Sequence, residues 1–195
     1  PARNGQIRNA VRKGLESDGA IMTESWTISP LIGVGPLKLG MSRAAVDALS
    51  ESLGPIDEPV SEETRPDGRT LLVEYRDKDS PECVFDGDAL CEIVLSEFVR
   101  FDIQLDGTSI FTAPPQDALA ALVRACGPAY WKIGRLFFPA AAIQVIGIVA
   151  DIGDGGTPVF HSAETGYTTP TLILATSGSY DAHIDDGLQL DLMKA

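Results

Sequence analysis

Apolar residues along this chain recur in two rhythms, one helical and one alternating, and the switches between them predict its elements. Leu37 and Leu39 flank Lys38 in a short extended segment, and Gly40 permits a sharp bend. Ser42 is placed to cap a helix on which Ala45, Val46, Leu49 and Leu53 form one face, with Asp47, Ser50 and Glu51 on the other. Gly54 then supplies a left-handed C-cap and Pro55 prevents continuation. Pro114 and Pro115 start a second helix with a stripe of Leu119, Leu122, Val123 and Cys126, and Gly127-Pro128 ends it as Gly54-Pro55 ended the first.

The alternating rhythm predicts strands. Thr70 to Arg76 places Leu71, Val73 and Tyr75 on one face and Leu72, Glu74 and Arg76 on the other. Glu82 to Phe85 and Ala89 to Leu95 read as a hairpin around Asp86-Gly87-Asp88, a three-residue loop that sets Phe85 against Ala89 and Cys83 against Cys91. Phe98 to Leu105 is a further strand ending at the Asp106-Gly107 turn. Arg135 to Phe138, Ala142 to Val149 and Thr171 to Ala175 are extended apolar segments, and Leu188, Leu190 and Leu192 alternate as a last edge strand. Between helix and strand, Ile56 to Arg69 reads as an acidic irregular loop punctuated by Pro59, Pro66 and Asp67-Gly68.

The order helix, Gly-Pro stop, loop, antiparallel strands occurs twice, over 33–105 and 106–195. The expected fold is therefore α+β, with two helix-plus-antiparallel-strand repeats packed on a largely antiparallel sheet in one domain, 22–195. Residues 1–21 stand apart. Arg3, Arg8, Arg12 and Lys13 outweigh Glu16 and Asp18, so this segment is +2 and the remainder carries −15. Ile7, Val11 and Leu15 have helical spacing, but Gly5 and Gly14 weaken it, and Met22 reads like a natural start. The segment is expected to be extraneous or the tail of an upstream basic protein.

A net charge of −13 argues against nucleic acid or an anionic membrane as partner and points to a basic protein. With 44% apolar residues, the chain can fill a core, and its longest apolar stretch, Phe137 to Ala150, is interrupted by Pro139, Gln144 and Gly147. The first residues hold no apolar signal segment, so the expected location is cytoplasmic. Cys83, Cys91 and Cys126 form no CxxC pair and are expected to be buried, reduced thiols. In an oxidising compartment the hairpin would instead permit a Cys83–Cys91 disulfide.

Catalytic signatures do not emerge. His161 and His183 sit in no HExxH or His-plus-Cys spacing, and Ser162 lacks a GxSxG elbow. Asp151 to Gly156 misses the ligand spacing of an EF-hand, and Asp185-Asp186-Gly187 reads as a solvated turn. Gly33-Val34-Gly35 lacks the third glycine of a dinucleotide loop. No catalytic residue, metal or cofactor is therefore expected. Binding features remain. Asp57, Glu58, Glu62 and Glu63 concentrate charge in one segment and could steer a basic partner. Tyr130 and Trp131 follow a helix stop and are the candidate anchors.

Leu39-Gly40-Met41-Ser42 with Val46 and Leu53-Gly54-Pro55 resembles the helix unit of small envelope proteins of the SmpA/OmlA type. In tandem it is similar to the β-lactamase inhibitor protein fold, whose concave sheet grips a partner. Ile28-Ser29-Pro30 with Gly33-Val34-Gly35-Pro36-Leu37 also resembles proteins encoded beside bacterial polymorphic toxins, some of them immunity proteins. The resemblance implies a protein-binding inhibitor, an immunity protein neutralising a basic toxin domain. The alternatives are an enzyme with dispersed active-site residues and a structural envelope assembly protein.

Overall fold

The structure is a computed structural model that describes residues 24–56, 60–65, 67–153, 157–161 and 169–177 and the backbone of 188–190. Strand outweighs helix, 46% to 17%, in an α+β arrangement. In chain order, strands β1 (Ser25–Ser29), β2 (Gly33–Val34) and β3 (Leu37–Lys38) precede helices α1 (Arg43–Asp47) and α2 (Ser50–Leu53). Strands β4 (Ser61–Thr64), β5 (Thr70–Glu74), β6 (Glu82–Asp86), β7 (Ala89–Ser96), β8 (Asp102–Leu105) and β9 (Thr108–Ser109) follow. Helix α3 (Pro115–Cys126) leads to β10 (Ala129–Lys132), β11 (Arg135–Phe138), β12 (Ile143–Ile146), β13 (Val149–Ile152), β14 (Pro158–Phe160), β15 (Thr171–Ala175) and β16 (Leu188–Leu190).

The main sheet has nine strands in the order β16-β10-β11-β12-β15-β7-β6-β5-β4, every neighbouring pair antiparallel. A smaller sheet, β3-β2-β1-β8-β9, contains one parallel pair, β1 with β8. The core lies between these layers and the helices. Val46 and Leu53 from the first helical unit and Leu119, Leu122 and Cys126 from α3 join Phe85, Ile93, Leu95, Leu136, Phe138 and Leu172 in one buried cluster. Trp26 of β1 stacks on Phe101 with ring centroids 3.6 Å apart and so ties the small sheet to that core. The opposite face of the main sheet carries two small apolar clusters, Leu71-Val73-Val84-Cys91 and Phe137-Ala175.

The capping chemistry is as expected at the start of the first helix: Ser42 Oγ accepts a hydrogen bond from the Ala45 amide at 3.2 Å. Its single helix is in fact two short ones, because Leu49 adopts φ −91°, ψ 10° and the turn tightens there. Val46 and Leu53 remain on the buried side of both pieces. The Gly-Pro stops also differ from the left-handed cap expected. Gly54 has φ 76°, ψ 172° and Gly127 has φ 86°, ψ −160°. A following proline excludes α-type ψ values from the preceding residue, so both glycines take the extended positive-φ region that only glycine occupies readily.

Four further expectations are corrected. The segment read as an acidic loop contains β4, an edge strand paired with β5. The strand expected from Phe98 begins only at Asp102, since Glu97 to Arg100 turn and Phe98 is exposed. The extended run from Ala142 to Val149 breaks after β12, and Ala142 itself is left-handed at φ 50°. The β6–β7 loop has two residues, not three, because Asp86 pairs with Ala89. A bulge opposite Val84–Phe85 then sets Cys83 against Ile93, so Cys83 and Cys91 lie on opposite faces as free thiols. The second helix, β11 and β15 match the expected spans.

Candidate partner-binding site

The carboxylates proposed as a steering element begin at the free side of β4. Ser61, Glu62, Glu63 and Thr64 are all exposed. A strand with one bonded neighbour need not bury either face, which is why four polar residues can form it. Pairing sets Glu62 opposite Leu72 and Glu63 opposite Leu71, so the two acids project to opposite faces. Asp57 and Glu58 lie outside the described residues.

On the Glu63 side the sheet carries a compact charged group. Arg65 pairs with Glu92 of β7 at 2.9 Å and with Glu63 at 3.6 Å. Glu82 of β6 stands on the same face. Burial pushes its carboxyl above the usual range, and the charges of Glu63 and Glu92 push it further. Glu92 is raised as well, chiefly by burial, with Arg65 working against the rise. Next to these, Arg69 bridges Asp67 at 2.7 Å and Asp86 at 3.4 Å. Five carboxylates thus share two guanidinium groups around the Leu71-Val73-Val84-Cys91 cluster.

The aromatic candidates are at the other end of the sheet. Tyr130 and Trp131 are consecutive in β10, so their side chains point to opposite faces. Tyr130 packs against Phe137 and Ala175, while Trp131 packs on the main core. Both are half-buried, and they share no common surface. Beyond them, Lys132 pairs with Arg135 across a two-residue turn, Ile133-Gly134. Both turn residues have positive φ, 47° and 74°, the signature of a type I′ turn, which favours Asn-Gly. A β-branched residue at the first position is strained by about 1–2 kcal/mol. Ile133 is nevertheless 87% exposed, more than any other large apolar residue described.

Sequence reasoning missed a buried ionic network beneath the first helices. Glu74 and Arg76 are 2% and 3% exposed. Arg43 Nε and Nη2 both donate to Glu74 Oε1 at 2.8 Å, and Arg76 Nη2 reaches Glu74 Oε2 and Asp47 Oδ1 at 3.3 Å. Arg76 Nη1 also donates to the Gly54 carbonyl at 3.2 Å, and Arg100 donates to the Leu53 carbonyl at 3.3 Å. These cations satisfy the open carbonyls at the end of α2. A signal existed in the alternation of Leu72, Glu74 and Arg76 on one face, but nothing local showed that face to be covered by a helix.

The three cysteines are buried free thiols. Burial pushes Cys83 up to about 12 and Cys91 and Cys126 to about 11, so all three thiols are protonated at neutral pH. His161 is half-buried, with its Nδ1 unpartnered among the described residues, and His183 lies outside them. Asp102 is held by Ser109 Oγ at 2.6 Å and Gln104 Nε2 at 2.7 Å beside a cavity of about 360 Å³. Among the described residues no group of three or more metal-ligating side chains converges, and no helix is long and apolar enough to cross a membrane. No protein-family model, curated protein or solved structure matches the chain.

Proposed function

We propose that the protein is a cytoplasmic protein-binding inhibitor module, an immunity protein that neutralises a basic bacterial toxin domain. The observation that carries this reading is the charge of −13 together with exposed carboxylates at an open sheet edge, Glu62 and Glu63. Long-range attraction of a basic partner raises its encounter rate, which suits an inhibitor that must act before damage accumulates. The protonated thiols weigh against a cysteine nucleophile, the most accessible form of the enzyme alternative.

The two-repeat reading belongs with this proposal. The strands β4-β5-β6-β7 and β10-β11-β12-β15 each follow a helix with a Gly-Pro end, and the two sets meet at their last members, β7 and β15. Their mirrored order supports two related halves sharing one sheet.

The test is to mix the purified chain with the product of the neighbouring gene and measure complex formation and toxin activity. A stoichiometric complex that abolishes toxicity is expected. Absence of a complex, or turnover of a small substrate that requires His161 or His183, would overturn the proposal.

A further inference from the structure

We infer that Ile133, at the tip of the β10–β11 hairpin, is a binding anchor that enters an apolar socket on a folded protein partner, with carboxylates on the socket rim receiving Arg135. The inference rests on the binding-protein reading above and specifies the contact that gives affinity.

Three observations converge on this tip. First, the position is one that Asn or Gly occupies without strain, yet it holds a β-branched aliphatic residue at φ 47°. The side chain is 87% exposed, so little packing inside the chain offsets that conformation. Strained exposed positions concentrate at functional sites.

Second, the tip is braced by pairing and packing. The turn has only two residues, and the rungs below it, Trp131 with Leu136 and Tyr130 with Phe137, are fixed by the main core and the second-face cluster. On its other side β10 pairs with β16, so the hairpin is not a free flap. An anchor held in this way loses little conformational freedom on docking.

Third, the tip carries an exposed cation: Arg135 pairs with no carboxylate among the described residues, in a chain of net charge −13. A cationic tip with an apolar point fits an apolar socket rimmed by acids. The acidic body and the cationic tip then address different parts of one partner, the first speeding encounter and the second fixing the docked complex.

The test uses the full chain and the product of the neighbouring gene as probe, with thermal unfolding measured in parallel. Ile133→Asn relieves the backbone strain and removes the anchor, so its melting temperature is expected to hold or rise while dissociation accelerates about tenfold or more. Ile133→Leu keeps an apolar point and is expected to stay within about threefold of the native rate, by the limited cost of volume-conserving apolar exchange. Arg135→Glu is expected to weaken binding, with an effect that fades as salt is added. Native dissociation in Ile133→Asn overturns the inference and leaves the binding-protein reading standing. A melting temperature lowered by many degrees also overturns it, because Ile133 would then serve the fold. If the unmodified chain does not bind at micromolar concentration, the binding-protein reading falls and takes the inference with it.

Discussion

Glu74 and Arg76 show how strongly single residues in this chain depend on one another. Neither charge reaches water, and Glu74 is held from both sides by guanidinium groups. Removing the carboxylate in Glu74→Ala leaves Arg76 buried, with the Gly54 carbonyl and the exposed Asp47 as its side-chain partners among the described residues. The expected loss is about 3–5 kcal/mol by chemical denaturation, whereas replacing Glu74 and Arg76 together by Met is expected to cost much less. A small loss in the single variant would mean that the network contributes little. Glu82 contributes a pH dependence, in the same direction as its neighbour Glu92. Its folded pKa is raised above the ordinary 4.5, so between those two values the folded state binds the extra proton. Stability from this group is therefore complete below about 4.5 and is lost as pH rises through the folded value. Glu82→Gln removes that loss, so its stability relative to the native chain is expected to grow with pH across mild acidity. Parallel stability–pH curves for the two proteins would refute this. Neither feature was legible beforehand. Alternation placed Glu74 on a strand face, but only the helix that carries Arg43, 31 residues earlier, makes that face interior.

Elements were legible where local chemistry agreed with packing. The helix Pro115–Cys126 has a proline start, a continuous apolar stripe and a Gly-Pro stop, and all three are local signals. Strand β4 has none of them, because an edge strand of exposed Ser-Glu-Glu-Thr needs no apolar face. Strand β1 alternates Trp26 and Ile28 with polar residues, but its partner β8 lies some 75 residues further on and the pairing is parallel. The β7 bulge shifts register by one residue, which composition does not reveal. The Gly-Pro pairs yield a prediction at this scale. Gly54 and Gly127 have nearly the same backbone, but a Cβ on Gly54 would overlap the Asp77 carboxylate, while Gly127 faces open space. Gly127→Ala is expected to cost about 1–3 kcal/mol from backbone strain alone. Gly54→Ala should cost more, because it also displaces Asp77 from its contact with Arg100. Equal denaturation midpoints would contradict this ordering.

Across the whole molecule, two distinct surfaces lie at opposite ends of one sheet. Acidic β4 forms one described edge, and the strained β10–β11 hairpin stands beside the other. The sequence pattern showed the excess charge and the aromatic pair. It did not place Tyr130 and Trp131 in a strand, where consecutive residues divide between two faces, or show that Glu62 and Glu63 belong to one. Strand β4 has no apolar alternation of its own and forms by pairing with β5. The charged edge also discourages edge-to-edge association, so its acids have a role in solubility whether or not they steer a partner. The two roles separate in kinetics. The most direct measurement is stopped-flow association with the neighbouring gene's product over a range of salt concentrations. It compares the native chain with a variant in which Asp57→Asn, Glu58→Gln, Glu62→Gln and Glu63→Gln are combined. If these carboxylates steer the encounter, the native association rate falls with added salt, and the variant associates more slowly with a flatter salt dependence while dissociation hardly changes. Identical salt slopes in the two proteins, or an association rate indifferent to salt, would contradict the account.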